Sequence, residues 1–416
     1  MDPTGLAQVL RSALVREQDS FRKTLILNPV ENIPFPEDIQ PASSWLHGLY
    51  NTDRERNEIR KQEAKIQFGG RDTITDDVRS IYAAWAAALG ADDVSMRLLS
   101  GLHAHLVVFM GLARPGQRVL LLPEAAGGHM STHQILERLG LTVIEMVVDY
   151  HRHGIDLDAT LRKASREKPD FVFVDRSEGL VVEDFSRIAN DLGAVAIFDA
   201  SQYITNIIAA DHPNPFDQGF DFVVSSLHKN FPGPQRALVA TRVADAAWRD
   251  LVGAISVYVS NMHVHGIYSA GLTLARTSWL RTYSAEMLAC AVDLEVALAD
   301  KGVPVVRRDS ESLPTHHIWI RSAGRHQAFR AYRALEAAGL LVNFRHLPYG
   351  LGPGLRLGTA AAVRSGLTTA RVPELADLVA GILVDGVADG WRDRVAAFLA
   401  ELAGEDKRDR KDRPAL

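Results

Sequence analysis

The chain contains one cysteine, Cys290, in 416 residues. A lone thiol can neither close an intrachain disulfide nor build a thiolate zinc cluster, so a reducing, cytoplasmic setting is expected and no structural metal. Positive charge is not in excess either, with Lys+Arg 46 against Asp+Glu 51 and a net charge of -5. No broad field exists to gather nucleic acid or an anionic membrane, which leaves small molecules and protein subunits as partners. No apolar run approaches the ~20 residues of a membrane-spanning helix. The first twenty residues, MDPTGLAQVLRSALVREQDS, carry charges throughout and lack the apolar core and small-residue cleavage site of a secretory signal.

What is present is a globular composition, 47% hydrophobic and 23% charged. It is too long for one core, since single cores stop growing at about 250–300 residues. The expected division is an arm over 1–55, a large domain over 56–285 and a smaller C-terminal α/β domain over 286–402. Residues 403–416 form a charge-dense tail without an apolar face, read as solvated or disordered. In the arm, Leu6, Val9, Leu10, Leu14 and Val15 recur at near-helical spacing and need an apolar partner. Three prolines in LILNPVENIPFPED (25–38) forbid a long helix and predict an extended loop across the surface.

From residue 72 helix and strand patterns alternate. Helices are expected over 73–89, 157–167 and 182–192, and strands at RVLLLPE (118–124), DFVFVD (170–175), AVAIFDAS (194–201) and FDFVVSS (220–226). Such continuous Val/Ile/Phe strands are covered on both faces, as in a mostly parallel sheet. After Lys229 the pattern turns helical, most clearly over 265–300, before a strand at HHIWIRS and a helix over 326–338.

Strand ends at the carboxyl edge of a parallel sheet converge on one crevice, and two of them carry Asp199 and Lys229. A lysine that condenses with an aldehyde and a carboxylate that keeps a pyridine nitrogen protonated suit pyridoxal phosphate. The same pair also occurs as a solvated turn acid and a surface base. Ser100 and Gly101 lie at a loop-to-helix junction able to hold a phosphate, and Ser226 could add a contact from the lysine loop. In AAGGHMSTH the glycines permit close backbone approach and His129 offers a ring to stack on a planar cofactor. Arg356, in LRLGTAA, suits a bidentate clamp on an amino acid carboxylate. The histidines of HVH (263–265) read as pocket lining, since no carboxylate or cysteine accompanies them.

The order of these motifs resembles that of the serine hydroxymethyltransferases. LNPVEN, QFGG, SGLHAH, AAGGH, IFDAS, LHKNFPGPQ and LRLGTAAAVRSG succeed one another collinearly from about residue 25 to 370. They resemble that family's L-I-x-S-E-N, Y-Y-G-G, S-G-S-Q-A-N, A-H-G-G-H, V-D-x-A-H, T-H-K-T-L-x-G-P-R and I-R-x-G-T-P-x-x-T-x-R-G. The resemblance implies a fold-type-I pyridoxal-phosphate transferase, with a mostly parallel sheet in the large, cofactor-binding domain. It implies Lys229 as the cofactor's attachment point, Asp199 at the pyridine nitrogen, His129 on the ring and His228 beside the lysine. Ser100, Gly101 and Leu102, with Ser226, would hold the phosphate, Gln202 would lie at the cofactor, and Arg356 would take the substrate carboxylate. It further implies a homodimer with shared active sites, in which Tyr50 reaches across to the phosphate and the arm joins the subunits.

The departures narrow the activity. Where the family has Y-A-E-G-Y, this chain has Tyr50-Asn51-Thr52-Asp53, so the acid is missing or displaced to Asp53 on the substrate side. Val30 and Phe68 replace a serine and a tyrosine, Gln202 a histidine, and Gln235 an arginine with Arg236 adjacent. VSNMHVHG (259–266) replaces a glycine-rich turn, and NFRHLPYGLGPG (343–354) is shorter than the family's folate-lining loop. These changes make tetrahydrofolate doubtful and favour an aldol-type enzyme that adds a glycine or alanine carbanion to an aldehyde in specialised metabolism, with His228 or His129 moving protons. The alternatives are a true folate-dependent hydroxymethyltransferase, a racemase or cyclase, and a catalytically silent binding homologue.

Overall fold

The computed structural model describes residues 3–52, 57–64, 66–387 and 389–411. Its centre is a seven-stranded sheet. The spatial order is Asp93–Ser95, Ala237–Thr241, Phe222–Ser226, Val195–Asp199, Phe171–Val174, Arg118–Leu121 and Thr142–Glu145. Every pairing is parallel except the two made by Ala237–Thr241, which runs antiparallel to both neighbours. That strand lies where the sequence pattern turns helical. ALVAT comes too soon after the proline-rich FPGPQ to declare a period, and it is stable only because it fills the place beside Phe222–Ser226.

Alternation along the strands feeds two cores. Val119, Leu121, Phe171, Phe173, Ile197, Phe222 and Val224 meet helices Gly101–Leu112 and Ala246–Tyr258 on one face. Leu120, Val172, Val174, Ala196, Phe198 and Val223 join the larger core on the other. Both faces are covered, so these strands are continuously apolar.

The expected helices form as Pro3–Phe21, Asp72–Leu89, Leu157–Glu167 and Arg325–Ala338, while the one expected over 182–192 is confined to Ser186–Asp191. The helical stretch over 265–300 is two helices, Val264–Leu274 and Thr277–Asp300, and the second runs through the 285/286 division. In the C-terminal third, His317–Arg321, Gly352–Gly358 and Asn343–Leu347 make a three-stranded antiparallel sheet with Gly352–Gly358 in the middle.

Segment 25–38 is non-helical, and it crosses the surface only in part: Glu31, Pro36 and Glu37 are exposed, while its start is buried. Leu25 and Leu27 are fully buried and Leu25–Ile26 pairs in parallel with Leu340–Leu341. Proline excludes helix without excluding burial, because the ladder to 340–341 satisfies the backbone there. The last helix runs Trp391–Lys411, into the stretch read as a tail; the remainder of that stretch, 412–416, lies outside the described residues.

Candidate active site

Connections that leave neighbouring strand ends of the central sheet carry the expected groups. Asp199 is the last residue of its strand, and Lys229 comes just after the end of Phe222–Ser226. Asn32, from the buried N-terminal segment, donates to the Lys229 carbonyl at 2.6 Å and to the Tyr283 hydroxyl at 2.9 Å. The backbone bearing the lysine is thereby tied to two distant parts of the chain. Burial lowers the Lys229 amine from its ordinary value; Asp199 opposes that and Arg356 adds to it.

Asp199 is buried against His105, whose Nε2 lies 2.7 Å from Oδ2, while the Ser201 N–H donates to Oδ1 at 2.7 Å. Burial works against the carboxylate, but His105, Lys229 and Ser201 outweigh it and hold the group down to about 2. It is therefore ionised throughout the neutral range.

Ser100 caps helix Gly101–Leu112, its hydroxyl accepting from His103 N at 3.3 Å, so the first-turn N–H groups, Leu102's included, open toward the strand ends. A Cβ on Gly101 would stand 3.3 Å from the Ser226 side chain and 3.6 Å from the Ser201 hydroxyl. The Ser226 N–H donates to Ser201 Oγ at 2.8 Å. A helix start and three hydroxyls thus meet in one corner, a donor set matched to a phosphate. Among the described residues, Ser226 Oγ, Gln202 Nε2, His228 Nδ1 and Arg356 Nε are enclosed without a hydrogen-bond partner. Such groups are costly unless a bound ligand meets them.

His129 and His228 are both lowered to about 4, chiefly by burial, with Lys229 contributing to each. Both are neutral bases at physiological pH. Gln202 is buried and accepts from His316 Nε2 at 3.0 Å. Arg356 is buried on the middle strand of the small sheet, 3.4 Å from the Ser177 carbonyl and 3.7 Å from Glu178 Oε2. Burial works against its charge and Glu178 supports it.

Two expected residues are not brought into this cluster. Tyr50 is exposed, its ring 4.9 Å from that of Phe68. Asp53 lies outside the described residues.

Sequence reasoning missed four others. His105 stands in the last position of the SGLHAH motif, and its separation from Ser100 places it on the helix turn facing the sheet. Asn32 closes LNPVEN. Arg345 pairs with Glu178 Oε1 at 2.7 Å, and Glu178 is fully buried between the two arginines. No sequence pattern separated that pair from ordinary surface charge, because the contact joins the first sheet to the last. Arg236, adjacent to the substituted Gln235, is spent on the carbonyls of Met96 and Met262.

The paired glycines of AAGGH prove to have a backbone reason. Gly127 has φ +87 and accepts from the N–H groups of Ser177 and Glu178, and a Cβ there would overlap the Glu178 carbonyl. Gly127→Ala is expected to cost at least about 2 kcal/mol through the left-handed backbone and that overlap, read as a lowered melting temperature. The loop carrying His129 and the loop carrying Glu178, which meet at this glycine, are both disturbed by it.

The family model for serine hydroxymethyltransferase matches residues 13–379. A serine hydroxymethyltransferase of Pyrobaculum arsenaticum is 29% identical over 409 residues, covering 96% of this chain and 93% of that protein. One of Metallosphaera sedula is 26% identical over 387 residues, covering 89% and 88%. Among solved structures, L-threonine transaldolase from Pseudomonas fluorescens superposes with a TM-score of 0.86 over 96% of this chain and 92% of that one, at 20% identity.

Proposed function

The chain belongs to the serine hydroxymethyltransferase family, and on that footing we propose that it is a folate-independent member that makes or breaks the Cα–Cβ bond of a small amino acid and passes the amino acid fragment to an aldehyde. As a member of that superfamily it is a pyridoxal-phosphate-dependent enzyme with the fold-type-I architecture. The donors present fit that cofactor: an attachment amine, an ionised carboxylate, and a corner of hydroxyls and helix N–H groups in which Ser226 Oγ lacks a partner among the described residues.

When bound, the cofactor withdraws the electron pair left on Cα. This chain's residues do the rest. Lys229 holds the cofactor, Asp199 keeps a positive charge on the ring nitrogen beside it, and Ser100, Gly101, Leu102 and Ser226 hold the phosphate. Arg356 orients the substrate carboxylate, while Glu178 and Arg345 keep its guanidinium in place. His129 and His228, neutral at working pH, accept the proton of the β-hydroxyl or return one to it.

The convergence of Lys229, Asp199 and Arg356 on one strand-end crevice carries the catalytic reading. Folate independence is supported by Tyr50-Asn51-Thr52-Asp53 where the family has its glutamate, and by Val30 and Phe68 where it has hydroxyls. The likeness to a threonine transaldolase favours the same direction. A second copy completes the site: Leu6, Val9, Leu10, Leu14 and Val15 are all exposed along the arm, and Tyr50 is free to reach across.

The test is L-threonine with a panel of aldehydes and no folate, products followed by mass. New β-hydroxy amino acids are expected, and activity that appears only with tetrahydrofolate overturns the assignment. Arg356→Lys is expected to raise the KM for the amino acid roughly 100-fold while the cofactor's absorbance band persists, because an ammonium cannot match the bidentate geometry.

A further inference from the structure

One buried hydroxyl, that of Tyr283, stands between the loop that carries Lys229 and the strand that carries Arg356. The direction of each bond it makes follows from chemistry. A carbonyl only accepts, so the Asn32 amide turns its nitrogen toward Lys229 O, at 2.6 Å, and its oxygen accepts from the Ile33 N–H at 2.8 Å. The second hydrogen on that nitrogen goes to the Tyr283 oxygen at 2.9 Å. Tyr283 therefore donates its own hydrogen elsewhere, and the Ala360 carbonyl, at 3.1 Å, is nearer than that of Asn230 at 3.3 Å.

Ala360 opens the short helix that follows Arg356's strand, Gly352–Gly358. The residues between are tied to the same two neighbours. The Gly358 N–H donates to the Leu27 carbonyl at 2.7 Å, in the N-terminal segment that also supplies Asn32. Thr359 Oγ1 donates to the Met287 carbonyl at 2.7 Å, one turn beyond Tyr283 on helix Thr277–Asp300. The Tyr283 ring lies nearly flat on Trp279, with centroids 4.6 Å and planes 13° apart, which fixes the line along which its hydroxyl points. On the far side of the lysine loop, Thr205 Oγ1 donates to the Asn230 carbonyl at 3.0 Å and the Thr205 N–H to the Asn230 side chain at 2.7 Å. The loop is thus pinned from behind and set from in front.

We infer that Asn32 and Tyr283 act as a single brace that sets the gap between the Lys229 backbone and the Arg356 strand, and that both are positioning residues for the reaction. Their polar groups are engaged with the protein itself, and through those bonds they decide where the two anchors of the amino acid stand. An amino acid held by its carboxylate at Arg356 brings its Cα to the reacting position only if that gap is right, and a displacement of about 1 Å lowers the rate on the order of 100-fold. Binding is far less sensitive, because the guanidinium moves with its strand and the carboxylate follows it. The effect of the brace on rate rests on the roles proposed for Lys229 and Arg356; the brace as a structural unit does not.

Tyr283→Phe removes the hydroxyl and keeps the ring on Trp279, and Asn32→Ala cuts the same brace from a half-buried position. In cofactor-free protein, hydrogen exchange followed by mass spectrometry is expected to quicken about tenfold in either variant over both 227–233 and 355–362, because the brace ends on each. In the loaded enzyme both variants keep their colour and a KM for the amino acid within about threefold of the parent, while kcat falls about 100-fold, the opposite split from Arg356→Lys. The double variant is at most about twofold slower than the slower single one, since a brace cut once is already cut. Exchange that quickens only within helix Thr277–Asp300, a kcat loss that multiplies in the double variant, or a KM rise with kcat kept overturns the brace. A parent that is colourless and inactive, with the exchange result as stated, overturns only the reading of Lys229 and Arg356.

Discussion

Lys229→Ala should purify colourless, fail to develop an absorbance band when pyridoxal phosphate is added, and lose activity by roughly 10^4-fold or more, the scale on which removing a covalent nucleophile acts. The expectation comes from position. The amine is enclosed, faces Asp199, and belongs to a backbone held by Asn32. Burial also sets its pH behaviour. Attachment requires the unprotonated amine, and a lowered value shifts its midpoint below the ordinary 10.5. Reconstitution of cofactor-free protein should therefore speed up with rising pH and level off before that value. A plateau only above it, or a coloured Lys229→Ala protein, contradicts the assignment.

Asp199→Asn should retain the fold yet lose activity by roughly 10^3-fold, the scale of removing a preorganised charge from a transition state. An amide is nearly the size of the carboxylate but cannot hold a proton on the ring nitrogen, and its N–H₂ would face the donor of His105 if turned the wrong way. Stability carries a separate signature. The folded carboxyl, at about 2, lies below its unfolded value near 3.8, so its contribution is fully present above the unfolded value and disappears as pH falls through the folded one. Asp199→Asn should cost about 2 kcal/mol at neutral pH and almost nothing near pH 2, measured by denaturant titration of cofactor-free protein. A pH-independent cost would assign the loss to packing instead.

Asp199 and Ser100 are legible in the sequence because one ends a strand and the other caps a helix, Lys229 because it closely follows a declared strand, and Arg356 through its place in the LRLGTAA motif. DFVFVD, AVAIFDAS and FDFVVSS announce buried strands, and residues just past the end of a buried parallel strand lie at the carboxyl edge of the sheet. Asp175 occupies such a position too, but a strand-end acid in isolation carries no sign of whether it is solvated. His105 is hidden for a related reason. Helix Gly101–Leu112 is apolar on nearly every side, so periodicity does not separate a histidine aimed at Asp199 from one packed in a core.

By itself the sequence determined the alternation of strand and helix, the sheet with both faces covered, the lysine and aspartate at its edge, and the family to which the order of motifs belongs. These come from local periodicity and from chemistry that only a few residue types perform. Tertiary structure alone decided that Ala237–Thr241 enters the sheet antiparallel and that Leu25–Ile26 is buried in a parallel pair with Leu340–Leu341. It also decided that Glu178 sits between Arg345 and Arg356, and that His105 bridges Thr132 and Asp199. Each of those joins residues far apart in the chain, and their charges and tautomers depend on burial and on neighbours that no local pattern records.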